Sequence, residues 1–161
     1  MQIFATSPSP VDSALALDDK RVNKMILESS QLLSAALHLH GVSKDILPSS
    51  PGWEKHSLAK WVAKSESNYT WLLDHFEALN SEFFFRSGKL HSYASHCVDF
   101  KTMQDRIPAG PLSGFLNCCA EQFKKPGNIH KTYQEYLAWK WKTQDKFVPK
   151  WTKRQKPSWF K

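Results

Sequence analysis

Cysteine is scarce here: Cys97, Cys118 and Cys119 are the only three in 161 residues. They are too few and too badly spaced for a disulfide framework, and a vicinal pair rarely closes on itself, so a reducing compartment is expected. Long hydrophobic runs are missing too. None approaches the roughly 18–20 residues that span a bilayer, so no membrane partner is expected. The opening "MQIFATSPSP" has neither a basic n-region nor a long apolar core, so no secretory signal is visible and the cytoplasm is the expected location. There is no CxxC, HExxH, GxGxxG, Walker A or GxSxG. Those absences remove the usual signatures of zinc sites, dinucleotide folds, NTPases and α/β-hydrolases. The seven histidines do not fill the gap. His38 and His40 diverge on a helix, and His91 and His96 are five apart, which is a poor ligand spacing. No metal and no cofactor is expected.

What is present is one domain's worth of chain, 41% hydrophobic, enough for a real core. The net charge of +7 is unevenly spread. Residues 124–161 carry 11 Lys/Arg against two acids, while residues 1–123 are slightly acidic. A basic end on a near-neutral body points to a polyanionic partner, the plain alternative being a solubilising tail.

Residues 2–6 read as a short strand or an extended lead-in, broken by "SPSP". Asp12 or Ser13 can cap a helix that starts near Ala14 and stops at Gly41. A loop over 47–53, a short helix over 53–64 and a long helix over 66–86 follow. The long helix is capped by Ser65, carries the apolar stripe Tyr69, Leu72, Phe76, Leu79 and Phe83, and ends at Gly88. A fourth helix is predicted over 90–103, irregular chain over 107–114, and a helical stretch over 115–125. A last long helix is predicted over 129–146, with Ile129, Tyr133, Tyr136 or Leu137, and Lys140 on one side. The pattern is mainly α: a single domain over 1–161 of about five helices, with residues 146–161 as an extended basic tail packed on or near the site.

The stretch "LDDKRVNKMILESSQLLSAALHLH" at 17–40 poses the functional question. At 100° per residue, Val22, Met25, Ile26, Leu33, Ala36 and Leu37 share the core face, and Asn23, Ser30 and Ser34 fall opposite, toward solvent. Arg21, Lys24, Glu28 and Gln31 form a stripe between the two. Lys20, Arg21 and Lys24 also crowd a helix start, where cations are disfavoured and Asp18 and Asp19 only partly offset them. Stems snorkelling along the core would explain boundary charges; an unfavourable arrangement without a packing purpose points instead to a site.

Seven tryptophans are many for this length. Trp71 belongs with the Leu72/Phe76 stripe. Trp151 and Trp159 sit in the basic tail, where they can stack on bases or anchor the tail to the core. His75 and His91 are candidate general acids or bases, though a histidine beside a core stripe is more often structural. Gln2 is expected to leave Met1 in place, so a bifunctional DNA glycosylase using a terminal amine finds no support here.

At "LDDKRVNKMILESSQLL" and "KWTKRQKPSWF" the chain resembles a family of small bacteriophage proteins. These open with a short extended segment, carry a D-K-(R/H)-V-x-K-M-x-x-E-x-x-Q-x-L helix and end in a W-T-x-R-x-x-P-x-W-F tail. "SESNYTWLLDHFEALNSEF", "GKLH" and "TYQEYLAWKW" are similar as well. The resemblance implies a phage protein in the cytoplasm of an infected cell. It singles out Asp19, Lys20, Arg21, Lys24, Glu28, Gln31, Ser65, Tyr69, Trp71, His75, His91, Tyr133, Trp151, Arg154 and Trp159. The chain departs from the family pattern at "KHSLAKW" and "PLSGFLNCC".

Three functions compete. The leading one is binding of a phosphate-bearing nucleotide, either single-stranded nucleic acid or a small nucleotide such as a host immune signal to be sequestered. Lys20, Arg21, Lys24 and Arg154 would hold phosphate. Trp61, Tyr69 or Trp151 would stack on a base, Glu28 would orient Lys24 or accept from a base edge, and Gln31, Tyr133 and Trp159 would complete the site. The second is an enzyme of repair, modification or hydrolysis on DNA or nucleotides, with Glu28 or Asp19 as acid/base and His75 or His91 assisting. The third is an inhibitor that binds a host protein through the basic tail. Whether the protein is catalytic, and whether it assembles with copies of itself, are both left open by the sequence.

Overall fold

The computed structural model describes residues 1–50 and 52–161. The loop expected over 47–53 therefore lies outside the described residues at Pro51. Six α-helices and no strand occur among the described residues: α1 (Pro10–Leu15), α2 (Asp19–Leu39), α3 (Ser57–Ala63), α4 (Glu66–Ser87), α5 (His96–Thr102) and α6 (Ile129–Trp139). The mainly α architecture matches the sequence reading. No helix is long and apolar enough to cross a membrane.

The first predicted helix is two. Ser9 caps α1 and Pro10 supplies its first residue, whose missing N–H is no loss there. The chain turns at residues 16–18, and Asp18 restarts it. The Asp18 carboxylate accepts from the Lys20 and Arg21 amides at 3.1 and 3.2 Å, and it is fully buried. That buried anion sits where the helix dipole needs one, so it offsets the cations that follow it. Ser65 caps α4 through the Asn68 amide. Gly88, at φ 72°, ends it in the left-handed conformation that glycine adopts without strain.

Helix α2 packs along α4, with α1 laid on α4 and α3 wedged beside α2. The predicted stripe is the core of α4: Tyr69, Leu72, Phe76 and Leu79 are fully buried. Residues 2–6 run extended without pairing, and Ile3 and Ala5 are buried as an apolar plug.

Several local expectations differ. Only residues 96–102 of the fourth predicted helix are α-helical, and residues 115–125 hold a single 3₁₀ turn at Glu121–Phe123. The last helix stops at Trp139 and widens into a π-helical turn, Lys140–Gln144. Of the face read as solvent, only Asn23 is exposed, whereas Ser30 and Ser34 are fully buried. The chain at Ser49 covers them: its hydroxyl meets the Ser30 hydroxyl and its amide donates to Ser34 Oγ. A helical wheel cannot register a loop that returns over the polar face.

The tail folds back on the domain in successive turns. Trp141, Trp151, Trp159 and Phe160 form one aromatic cluster, with Trp159 stacked on Trp141 at 5.6 Å and Phe160 edge-on at 4.7 Å. Such pairs add about 0.5–1.5 kcal/mol each beyond burial. Polar links fasten the tail: the Asp19 amide donates to the Lys150 carbonyl, Thr152 donates to the Asp19 carboxylate, and Arg154 pairs with Glu82 at 2.6 Å.

Candidate functional site

Where the chain's first residues cross α2, a cavity of about 310 Å³ opens. One wall is Met1, Gln2, Phe4, Lys20, Arg21, Lys24, Met25 and Glu28; the other is Tyr136, Lys140, Asp145 and Phe147. The first wall follows from helix periodicity. Arg21, Lys24 and Glu28 lie at i, i+3 and i+7 on α2, so they stand above one another beside the core. The second wall comes from the end of α6 and the π turn. Single π turns are frequent at functional sites, because widening the helix re-aims its side chains.

Glu28 is the focus of the first wall and is 9% exposed. Its Oε2 accepts the Gln2 amide at 2.8 Å and lies 3.9 Å from the Met1 α-nitrogen. Its Oε1 lies 3.0 Å from Lys24 Nζ. One carboxylate thus gathers an α-amine, an amide and an ammonium. The Gln2 side chain secures this chain start by donating to the Cys118 carbonyl.

Arg21 is differently placed. Its guanidinium pairs with Asp18 at 2.7 Å and with Asp145 at 2.9 Å, and Trp141 Nε1 donates to Asp18 at 2.7 Å. Burial works against the Arg21 charge, but the hydrogen bonds to Asp145 and Asp18 outweigh it and the net shift is upward. Arg21 therefore couples α2 to the C-terminal segment as a closed ion cluster. Lys20 lies over the Phe147 ring at 3.7 Å, and the Lys24 side chain is 69% exposed at the rim. Lys140 is half-buried. Burial first, then Arg21 and Lys24, push its pKa down, and Asp145 partly restores it.

Of the residues predicted from sequence, Lys20, Arg21, Lys24 and Glu28 line this cavity, and the others lie elsewhere. Gln31 is half-buried further along α2. Tyr69 and Tyr133 are fully buried and donate to the carbonyls of Phe100 and Leu116. Trp61 packs edge-on against Trp71 and donates to the Gly114 carbonyl. Trp151 and Trp159 are the tail's anchors. Arg154 is held by Glu82 and lies over Phe85 at 4.2 Å. Asp19 accepts from Arg86 and Thr152. His75 is fully buried, its Nδ1–H donates to the Pro10 carbonyl, its ring stacks on Trp71, and burial pushes its pKa down to about 4. His91 packs against Phe83 and Tyr93, and burial lowers its pKa as well. Among the described residues, no group of three His, Cys, Asp or Glu side chains is placed to hold a metal ion.

Sequence reasoning missed Met1, Gln2, Phe4, Tyr136, Lys140, Asp145 and Phe147. A faint signal existed in Tyr136 and Lys140, four apart on a basic segment and therefore on one helix face. The Met1 α-nitrogen, the group that a terminal-amine enzyme would use, lies 3.9 Å from Glu28.

No curated protein and no solved structure matches the chain. Residues 1–94 match a family described as pyrimidine dimer DNA glycosylase, and that stretch holds the chain start, the whole of α2 and Glu28. More than half of the chain is covered, and the chain belongs to the pyrimidine dimer DNA glycosylase family.

Proposed function

We propose that this protein excises damaged pyrimidines from DNA, with the α-amine at the chain start as nucleophile and Glu28 as its acid–base partner. The observation that carries this reading is the Met1 α-nitrogen 3.9 Å from Glu28 inside a cation-lined cavity. Attack of the α-amine on C1′ of the damaged nucleotide forms an N–C1′ bond as the glycosidic bond breaks. The departing base takes the electron pair, and Glu28 takes a proton from the attacking nitrogen. Should processing remove Met1, the nitrogen of residue 2, already 2.8 Å from Glu28, takes its place.

Charge and shape support a DNA substrate. The cavity wall carries the α-amine, Lys20, Arg21, Lys24 and Lys140 against Glu28 and Asp145, an excess of cations suited to a strand's phosphates. Phe4, Tyr136 and Phe147 offer aromatic faces for a base taken out of the stack. The exposed lysines, Lys20 and Lys24, would meet the backbone at the rim. Nucleotide binding would be the binding half of this reaction, with the ligand a nucleotide within a strand.

The test is a duplex containing a single thymine dimer, incubated with the protein and sodium borohydride. Release of the base followed by reduction of the imine leaves a covalent protein–DNA adduct, and Glu28→Gln should form it at least a hundredfold more slowly. Tight, salt-sensitive binding to the duplex without adduct or strand cleavage would favour a binding protein instead.

A further inference from the structure

We propose that Lys140 is a second catalytic group of this site, the proton donor to the departing base. The inference rests on the glycosylase reading above. Each of the other cations on the cavity wall is engaged: the α-amine and Lys24 with Glu28, Arg21 with Asp18 and Asp145, and Lys20 with the Phe147 ring. Lys140 has the Tyr136 ring, 5.4 Å from its ammonium, and among the described residues no carboxylate within ion-pair distance. It also sits deeper. Lys20 is exposed and the Lys24 side chain is 69% exposed, so both stand at the rim where a strand's phosphates run, whereas Lys140 is half-buried. A nucleotide placed with its sugar at Glu28 has its backbone at the rim and its base turned into the cavity, toward Tyr136 and Lys140.

The local fold provides for this. Lys140 stands where α6 gives way to the π turn, one helical turn from Tyr136, so the aromatic face and the ammonium share a wall. Burial, with Arg21 and Lys24 nearby, makes its proton easier to give up than an ordinary lysine's, and Asp145 opposes this in part. The step balances. As the α-amine forms its bond to C1′, the glycosidic electron pair passes to the base. Lys140 Nζ delivers a proton to that base, Glu28 accepts one from the attacking nitrogen, and water reprotonates Lys140. Lys140 and Tyr136 lie outside the stretch shared with the family, residues 1–94, so this half of the chemistry belongs to the C-terminal segment.

The experiment compares two duplexes, one with a thymine dimer and one with an abasic site, under single-turnover conditions with borohydride. The proteins are the full chain and its Lys140→Arg and Lys140→Gln variants. Arginine keeps the charge but does not release a proton near neutral pH. Only the dimer duplex has a base that must leave. Both variants should therefore slow adduct formation on the dimer duplex at least tenfold more than on the abasic duplex, with Lys140→Arg no better than Lys140→Gln. The affinity of Lys140→Arg, which keeps the charge, for the uncleaved dimer duplex should fall less than threefold. Full rescue by arginine would overturn the proposal and make Lys140 a phosphate anchor. Equal slowing on both duplexes would overturn it too, by placing Lys140 at the sugar. A wild type active on the abasic duplex but not on the dimer duplex, or inert on both, would refute the glycosylase reading itself and Lys140's role with it.

Discussion

Two ion clusters lie two turns apart on α2, and they use the same residue types for opposite ends. Around Arg21, two carboxylates close on one guanidinium and Trp141 satisfies Asp18 from the side. Around Glu28, one carboxylate faces an α-amine and a lysine that is 69% exposed. The first cluster is the more enclosed and joins α2 to the C-terminal segment. In the second, Lys24 stands in solvent, and an incoming group can exchange with it. Both clusters stand on the wall of one cavity, and what separates them is how far their partners are open to solvent. Charge alone does not distinguish them.

The sharpest way to break the comparison is to empty the closed cluster. Arg21→Ala leaves buried Asp18 and half-buried Asp145 without their counter-charge, and removal of one partner of a buried pair costs about 3–5 kcal/mol. Chemical denaturation should show a loss of that size. A loss under about 1 kcal/mol would mean that the Arg21 cluster is as open as that of Glu28.

A comparable effect comes from His75, buried away from both clusters. Its pKa is about 4 in the folded protein and near 6.5 in an unfolded chain, because burial disfavours the cation. The unfolded state therefore binds the extra proton first. The stabilisation is whole above about pH 6.5 and declines as pH falls toward about 4, by roughly 3 kcal/mol in all. His75→Phe, which keeps a ring against Trp71, should flatten this dependence in urea titrations between pH 7.5 and 4.5. An unchanged slope would assign the acid sensitivity to other groups.

The open cluster should respond in function more than in stability. Lys24→Ala removes a solvent-exposed lysine from an i,i+4 pair worth about 0.3–0.5 kcal/mol, and Glu28 keeps the Gln2 amide and the Met1 nitrogen. Denaturation midpoints should barely move. Binding to a dimer-containing duplex should weaken several-fold, and the slope of log affinity against log salt should shrink by about one phosphate contact. Asn23→Ala, exposed and outside the cavity, is the control and should alter neither.

Much of this was legible in the sequence where the signal is local. Capping by Ser65, the stop at Gly88 and the stripe on α4 follow from spacing, and they set the main core. Lys20, Arg21, Lys24 and Glu28 could be grouped because a helix aligns them. What the sequence did not contain was closure at a distance. Nothing near Arg21 announces Asp145, which lies 124 residues away in the chain. Nothing near Ser30 announces Ser49, and nothing near Glu28 announces the chain's own first nitrogen. Trp151 and Trp159 carried signals for both stacking and anchoring, and in the fold both pack on Trp141. Residues predicted from a resemblance spread over the molecule because a motif marks folding determinants and chemistry alike.

The most direct test of the central claim is to locate the nitrogen that attacks the sugar. Borohydride should fix the protein to a thymine-dimer duplex, and mass spectrometry of the digested adduct can identify the modified peptide. The account predicts one site, the α-nitrogen of the first residue, with the yield from Glu28→Gln down at least a hundredfold. An adduct on a lysine side chain, or an undiminished yield from Glu28→Gln, would contradict it.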